Sequence, residues 1–369
     1  MGMSQKKIKL CVIAGMIDAK LHSKLAPLQN IAQVEEILLV RRQPYHGEKI
    51  RCYSPPRFIA KLLILAEPWR LFTLLALCLF QKPCCLVAFG IVPHGIYAWL
   101  VGKLFRIPVI QHVMGKNDLR LTFPNQCGRS ITLAAVRNAD RIGVRGANMR
   151  QWLEEKGVSA EKIFVPQNVH DFGLFRPDAD VKKKFDLVYC GLLAPYKRID
   201  LMLDSLALVQ KKRPGTSLLL IGDGPQRESL ECQAYELGIA KQVHFCGKQD
   251  FHKLPQLLNQ ARVFIMTSQG EGLPMAMIEA MSCGLPVIVP ADADIEEVAK
   301  HEENGLVVAG HTASQFAEAI CNIFQRQPNL YGELQQGALS LRENKRGEYS
   351  LAYQKNLWEK TILALLRRT

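Results

Sequence analysis

The feature that most constrains this chain is a recurring alternation. Short runs rich in Val, Ile and Leu are followed by segments of helical period, along nearly the whole length. Runs apolar at every position suit strands covered on both faces, and alternation with helices calls for a parallel sheet. In the first half the candidate strands are Leu10–Ala14, Val34–Val40, Leu86–Ile91, Val109–Val113, Arg141–Val144 and Lys162–Val165. The second half repeats the pattern with Leu187–Cys190, Ser217–Ile221, Val243–Cys246, Val263–Met266, Pro286–Val289 and Leu306–Val308. Each half therefore reads as a doubly wound α/β unit, and 369 residues suit two such domains.

Between the halves, from Asn168 to Lys184, the periodicity lapses around Pro177 and ends in the run DADVKKKFD, as in a linker. The reading is a first domain over 1–177, a second over 178–348 and a terminal helix over 349–369. That helix carries Leu351, Leu357, Ile362 and Leu365 at helical spacing and ends in cations that suit its C-terminal dipole. In open parallel sheets, ligands bind beyond the carboxyl ends of the strands. Two sheets with those ends opposed would frame a cleft between the domains.

Net charge is +13, so the surface field favours anions such as nucleotide diphosphates, nucleic acid or an acidic lipid surface. No nucleic-acid-binding module signature accompanies the charge, which argues against that partner. Part of the excess is local: Arg41, Arg42, Lys49, Arg51, Arg57 and Lys61 face only Glu48, a stretch that reads as a solvated loop. Next comes the most apolar segment, Phe58–Phe80, broken by Lys61, Glu67, Pro68 and Arg70. It is too interrupted to cross a bilayer and reads either as an in-plane amphipathic anchor or as a buried core helix. The eleven cysteines show no C-x-x-C pair, and the N-terminal apolar run is too short for an export signal, so the expected location is cytoplasmic, peripheral at most on the membrane's inner face.

The chemistry concentrates after the strands of the second half. Following RVFIMTS stands QGEGLPMAMIEAMSCGLPVIV, in which Pro274 suits a first helical turn and Gly284 a helix end. Glu271 precedes this helix and Glu279 lies within it, while the backbone N–H groups near Gly272, Leu273 and Met275 would face a ligand at a positive helix end. This segment resembles the E-x7-E signature of the retaining glycosyltransferases of family 4, which have the GT-B architecture of two Rossmann-like domains facing across a cleft.

Further segments match that family in order. Gly191–Arg198, GLLAPYKR, is similar to its G-R-L-x-x-x-K-G loop: Lys197 holds the Lys position, but Leu192 stands where the family has Arg, with Arg198 as a substitute cation. IGDGPQRESL carries Gly222 and Gly224 in a turn that reads as structural, and VHFCGK places Gly247 beside the expected base site. Ile295–Val308 resembles a trailing scaffold segment.

In the first half the likeness is thinner. Gly15 follows the first strand, where members carry a Gly-rich loop, and NVHDFGLFRP resembles the crossover between domains. IPVIQHVMGKND resembles a strand that ends in an active-site His; Met114 takes that position and His112 lies two residues earlier. His94, Asp118 and Arg145 are further candidates for acceptor contact.

The resemblance implies transfer of a hexosyl-type group, with retention, from a nucleotide-diphosphate sugar to the hydroxyl of a saccharide or lipid-linked saccharide, as in polysaccharide or glycolipid assembly. UDP- or GDP-linked donors are expected, as co-substrate rather than cofactor. Glu271, Lys197 and Arg198 would act at the reacting centre; Gly15, Gly191, Gly222, Gly247, Gly272, Leu273, Pro274 and Glu279 would line the donor. No metal is expected, since Asp292 and Asp294 lie beyond the donor motif. The alternatives are a non-catalytic partner subunit that keeps the fold, to which Leu192 and Met114 point, and a nucleotide-sugar epimerase.

Overall fold

The computed structural model describes residues 7–16, 18–113, 126–292, 294–325 and 329–367. The chain forms two compact units, residues 1–170 with 348–369, and residues 171–347. The division falls after His170, ahead of Pro177, and the chain's last helix belongs with the first unit.

The first unit holds a seven-stranded sheet in the order β3-β2-β1-β4-β5-β6-β7. Its strands are β1 (Ile8–Ala14), β2 (Val34–Val40), β3 (Ile50–Tyr53), β4 (Cys85–Phe89), β5 (Val109–His112), β6 (Arg141–Gly143) and β7 (Ile163–Phe164), and every pairing is parallel. Leu10 to Ala14 are all buried because alternate side chains enter different cores. Leu10, Val12 and Ala14 pack with Leu21, Leu25 and Leu28 of helix Asp18–Gln29 and with Trp358 and Ile362 of the final helix. Cys11 and Ile13 pack on the other side with Leu74 and Leu77 of helix Leu63–Gln81 and Ala98 and Val101 of helix Ile96–Phe105.

The basic stretch after β2 departs from the solvated loop expected of it. It contains β3, which continues the sheet by pairing Ile37 with Ile50 and Val40 with Tyr53. Arg41 is buried, with Nη1 2.6 Å from Asp18 Oδ1 and Nη2 donating to the Met16 carbonyl at 3.2 Å. An edge strand this short, with exposed Arg51, has only one neighbour to satisfy and so carries little of the apolar pattern that marks a central strand.

The final helix, Leu351–Leu366, starts at Ser350, whose hydroxyl accepts from the Tyr353 N–H at 3.2 Å. Its Trp358 meets Phe164 edge to face, with centroids 5.1 Å apart and planes at 87°, and also packs on Phe89. Gln354 is fully buried and satisfied: its carbonyl accepts from the Gln167 N–H, and its amide donates to the Glu348 carbonyl.

The second unit holds a six-stranded parallel sheet ordered β10-β9-β8-β11-β12-β13. The strands are β8 (Phe185–Cys190), β9 (Leu218–Ile221), β10 (Val243–Gly247), β11 (Ala261–Ile265), β12 (Val287–Pro290) and β13 (Gly305–Val308). Leu187, Tyr189, Leu218, Leu220, Val263 and Ile265 form its core with Met202 and Leu206 of helix Ile199–Lys212 and Phe316 and Ile320 of helix Ala313–Gln325. In both sheets the strand order reverses beside the first strand of the unit, at β1/β4 and at β8/β11. Such reversals leave a crevice at the carboxyl ends, because successive helices leave on opposite faces.

Candidate active site

At the carboxyl edge of the second sheet, three glycines expected at the donor stand side by side. The Gly191 N–H donates to the Ile221 carbonyl at 2.9 Å and the Gly222 N–H to the Gly247 carbonyl at 2.9 Å. Gly222 has φ of +142°, and a Cβ there would lie 1.9 Å from the Gly191 carbonyl oxygen. Gly247 also has positive φ, at +72°. A Cβ on Gly224 would lie 2.3 Å from the Leu193 carbonyl oxygen, so the G-D-G-P turn is glycine-bound for packing reasons. The result is a strip of bare backbone at the ends of three adjacent strands.

Beside it, the loop Pro195–Arg198 is pinned to the end of β11. Thr267 Oγ1 lies 2.7 Å from the Arg198 carbonyl oxygen and 3.2 Å from that of Lys197, and the Gln269 N–H donates to the Tyr196 carbonyl at 3.1 Å. Arg198 takes a left-handed conformation, φ 52°, where it starts helix Ile199–Lys212. This costs a side-chain-bearing residue about 1–2 kcal/mol and is held by the threonine contact. The turn sends neighbouring cations to different partners. Lys197 Nζ pairs with Glu271 Oε1, with the two side chains 14% and 13% exposed, and stands 5.2 Å from the centroid of the Tyr196 ring. Arg198 Nε lies 3.2 Å from Asp200 Oδ1, in the first turn of its own helix. Leu192, at the position where a second phosphate cation was expected, is 50% exposed.

Helix Met275–Ser282 follows, with Pro274 as its cap rather than its first turn and no side chain hydrogen-bonded to that end. Leu273 and Pro274 are buried, so what they offer a ligand is backbone. Gly284, φ +79°, closes the helix, as its position in the motif implies. Glu279 is half-buried. Its charge joins burial in pushing up two thiols: Cys190 at the end of β8, where Lys197 opposes the rise, and Cys283, held at about 12. The phenols of Tyr189 and Tyr196 are raised by burial first and Glu271 second. Glu271, Glu279 and Lys197 therefore share one electrostatic neighbourhood around the β8 terminus. Tyr189, Tyr196 and Thr267 were not singled out in the sequence; the available signal was their place near the end of β8, in the Lys197 loop and two residues beyond β11.

In the first unit the corresponding reversal is closed by a histidine. A Cβ on Gly15 would lie 2.6 Å from His94 Cε1, so Gly15 makes room for that ring. His94, in a π-turn Ile91–Gly95 ahead of helix Ile96–Phe105, places Nδ1 3.2 Å from the Phe89 carbonyl oxygen, while Nε2 contacts Arg70 Nη2. The carbonyl requires a donor and the guanidinium an acceptor, which fixes the neutral tautomer protonated at Nδ1. Burial, reinforced by Arg70, holds this imidazole at a pKa of about 3. Arg70 is itself buried, donates to the Ala14 carbonyl at 2.9 Å and pairs with Glu67 at 2.8 Å.

His112, at the end of β5, is fully enclosed, with Nε2 3.3 Å from Lys24 Nζ; burial, Lys24 and Arg145 hold its pKa well below the usual range. Arg145, half-buried after β6, thus lies in the same cationic environment. Met114 and Asp118 lie outside the described residues. Lys24 and Arg70 join these neighbourhoods from helices whose sequences gave no hint of it. Among the described residues, no group of three or more His, Cys, Asp or Glu side chains is placed to hold a metal ion.

Residues 174–338 match the family model of glycosyl transferases group 1. The group 1 match covers the strip of glycines, the Lys197–Glu271 pair and Glu279. Among curated proteins, the chain is 30% identical over 184 residues to a GDP-mannose-dependent alpha-(1-6)-phosphatidylinositol monomannoside mannosyltransferase of Mycobacterium tuberculosis, covering 45% of this chain and 48% of that protein. It is 28% identical over 203 residues to a D-inositol 3-phosphate glycosyltransferase of Jonesia denitrificans, covering 52% of this chain and 44% of the relative. The chain thus spans about half the length of the curated relatives it matches.

Solved structures extend the likeness to the whole fold. Sucrose-phosphate synthase from Thermosynechococcus elongatus superposes with a TM-score of 0.81 at 18% identity, over 98% of this chain and 100% of that one. Anabaena HepE in complex with UDP and glucose gives 0.78 at 16% identity, over 97% and 100%. The architecture is accordingly that of the GT-B glycosyltransferases, two α/β Rossmann-like domains.

Proposed function

We propose that the chain is a retaining glycosyltransferase that moves a sugar from a UDP- or GDP-linked donor to a hydroxyl of a saccharide or lipid-linked saccharide. One observation carries this reading. Lys197 and Glu271 form a nearly enclosed ion pair at the β8/β11 reversal, beside a strip of bare backbone and a helix start without a side-chain cap. A diphosphate laid on that backbone would take Lys197 and the first N–H groups of helix Met275–Ser282 as donors. Glu279 would accept from ribose hydroxyls and Glu271 from sugar hydroxyls. Packing demands the glycines, since a Cβ on Gly222 would lie 1.9 Å from the Gly191 carbonyl oxygen, and the strand ends are left with bare backbone as a consequence.

In this reading catalysis rests on positioning and on stabilising charge at the departing diphosphate. The acceptor attacks on the face the leaving phosphate vacates, and that phosphate takes the acceptor proton, which gives retention without a protein nucleophile. Arg198 enters only by exchanging Asp200 for phosphate. The GDP-mannose dependence named for the mannosyltransferase and the UDP bound in HepE support a nucleotide-sugar donor, the two curated relatives are named for different acceptors, and the family resemblance supports retention.

Thermal-shift screening of UDP-, GDP-, ADP- and TDP-sugars on wild type and Glu279→Ala tests the assignment. Stabilisation by one nucleotide class, lost in the variant, is expected; no stabilisation by any, or an equal effect in the variant, refutes it. Exposed Leu192 keeps one second reading in play, a donor-binding but non-catalytic subunit. Stabilisation by donor with neither hydrolysis nor transfer would select it.

A further inference from the structure

The first unit displays an apolar face that its own core leaves uncovered. Helix Leu63–Gln81 turns Ala66, Arg70, Leu74, Leu77 and Cys78 inward, one continuous stripe at helical spacing. On the opposite side stand Ile64, Phe72 and Phe80, exposed by 81%, 71% and 75%, together with Leu65 and Leu79. Phe58 and Leu62 are exposed just ahead of it. The neighbouring helix Ile96–Phe105, which shares a core with this one, leaves Leu100 and Leu104 exposed. Solitary exposed apolar residues are ordinary, whereas large side chains gathered on one helical face mark a contact surface.

The charge around this face has a single sign. Arg57 and Lys61 precede the helix, Lys82 ends it, and Lys103 and Arg106 end the neighbouring one; all five are exposed. The lone acid in residues 57–82 is Glu67, whose carboxylate is bound to inward-facing Arg70, and residues 91–106 contain none. Trp69 and Trp99 are half-buried at the level between core and solvent. Apolar side chains fringed by cations and indoles, with no exposed acid, complement an anionic lipid surface.

We propose that helix Leu63–Gln81, with helix Ile96–Phe105 beside it, docks the first unit in the plane of an anionic bilayer. By length and composition the segment Ile64–Gln81 would also serve as a span. The packing decides against crossing. Arg70 is tied to the Ala14 carbonyl and His94, and Leu74, Leu77 and Cys78 are built into the core beside β1. A span would tear out that stripe and bring an arginine into hydrocarbon, whereas docking uses only the face already exposed. The proposal holds whichever donor or acceptor the chain uses.

The test is co-sedimentation of the full chain with phosphatidylcholine vesicles, with and without phosphatidylserine, at low and high salt. Wild type is expected to bind the anionic vesicles and to leave them as salt rises. Phe72→Ser with Phe80→Ser should weaken binding on the order of tenfold or more, through lost apolar insertion. Lys61→Gln, Lys82→Gln and Lys103→Gln should each weaken it about fivefold. All these positions are exposed, so unfolding temperatures should match wild type, and brominated lipid should quench emission that Trp69→Phe removes. Equal binding to neutral vesicles, or undiminished binding by the double serine variant, overturns the proposal. So does a lipid-independent dimer that the same serine variant dissociates, since a second copy would then be the occupant.

Discussion

Replacing Lys197 by Met keeps the reach of the side chain and removes the ammonium that faces Glu271. The partners are 14% and 13% exposed, so little water screens them. At an effective dielectric of about 20, unit charges roughly 4 Å apart attract by about 4 kcal/mol. Desolvation of both ions takes back much of this, leaving a coupling of about 1–3 kcal/mol. The lysine also lies over the Tyr196 ring, 5.2 Å from its centroid, a contact worth about 0.5–1 kcal/mol. Lys197→Met should therefore lower the stability of the second unit by about 2 kcal/mol, a shift of roughly 4–8 °C for a domain of this size. The assay is a double-mutant cycle by thermal and urea unfolding, with Lys197→Met, Glu271→Gln and both together. The double variant should lose little more than either single one. Losses that add to within about 0.5 kcal/mol would refute the pairing of Lys197 with Glu271. The same variant should bind nucleoside diphosphate roughly 10- to 150-fold more weakly, the range expected for one charged hydrogen bond.

Gly222→Ala places a methyl 1.9 Å from the Gly191 carbonyl oxygen at φ +142° and should cost about 3 kcal/mol or more in urea unfolding; Gly215→Ala, also at positive φ but facing open space, should cost about 1 kcal/mol. Comparable losses at the two sites would show that the strand-end packing is not tight. Acid sensitivity follows from His94, whose pKa falls from 6.5 to about 3 through burial first and Arg70 second. Below about pH 6.5 the unfolded chain takes a proton that the folded chain refuses, so stability should decline toward pH 3 by about 1.4 kcal/mol per unit from this group. His112, depressed in the same direction, adds to the slope. Urea titrations of wild type and His94→Gln at stepped pH should show a shallower decline in the variant; identical slopes would contradict the assignment.

The second unit was the more legible half because its chemistry is local. Gly191, Gly222 and Gly247 announce strand ends, and Glu271 and Glu279 flank one helix start, so spacing along the chain translates directly into position in space. Pairings across the fold were another matter. That Lys197 would turn to Glu271 while Arg198 turns to Asp200 depends on a left-handed residue held by Thr267, which no spacing rule reveals. In the first unit the central strands showed as apolar runs, yet β3 escaped notice among basic residues, and Arg41 proved buried through an acid in a distant helix. Arg70 read as an interruption of an apolar segment. Its role, holding the Ala14 carbonyl and His94, is visible only once the helix is laid against β1.

The most direct test of the account is crystallography of the full chain soaked with the nucleotide-sugar that stabilises it. Density for the diphosphate beside Gly191, Lys197 and the start of helix Met275–Ser282, with the ribose at Glu279 and the sugar at Glu271, is the predicted result. An empty pocket there, with the nucleotide bound in another part of the molecule, would contradict it.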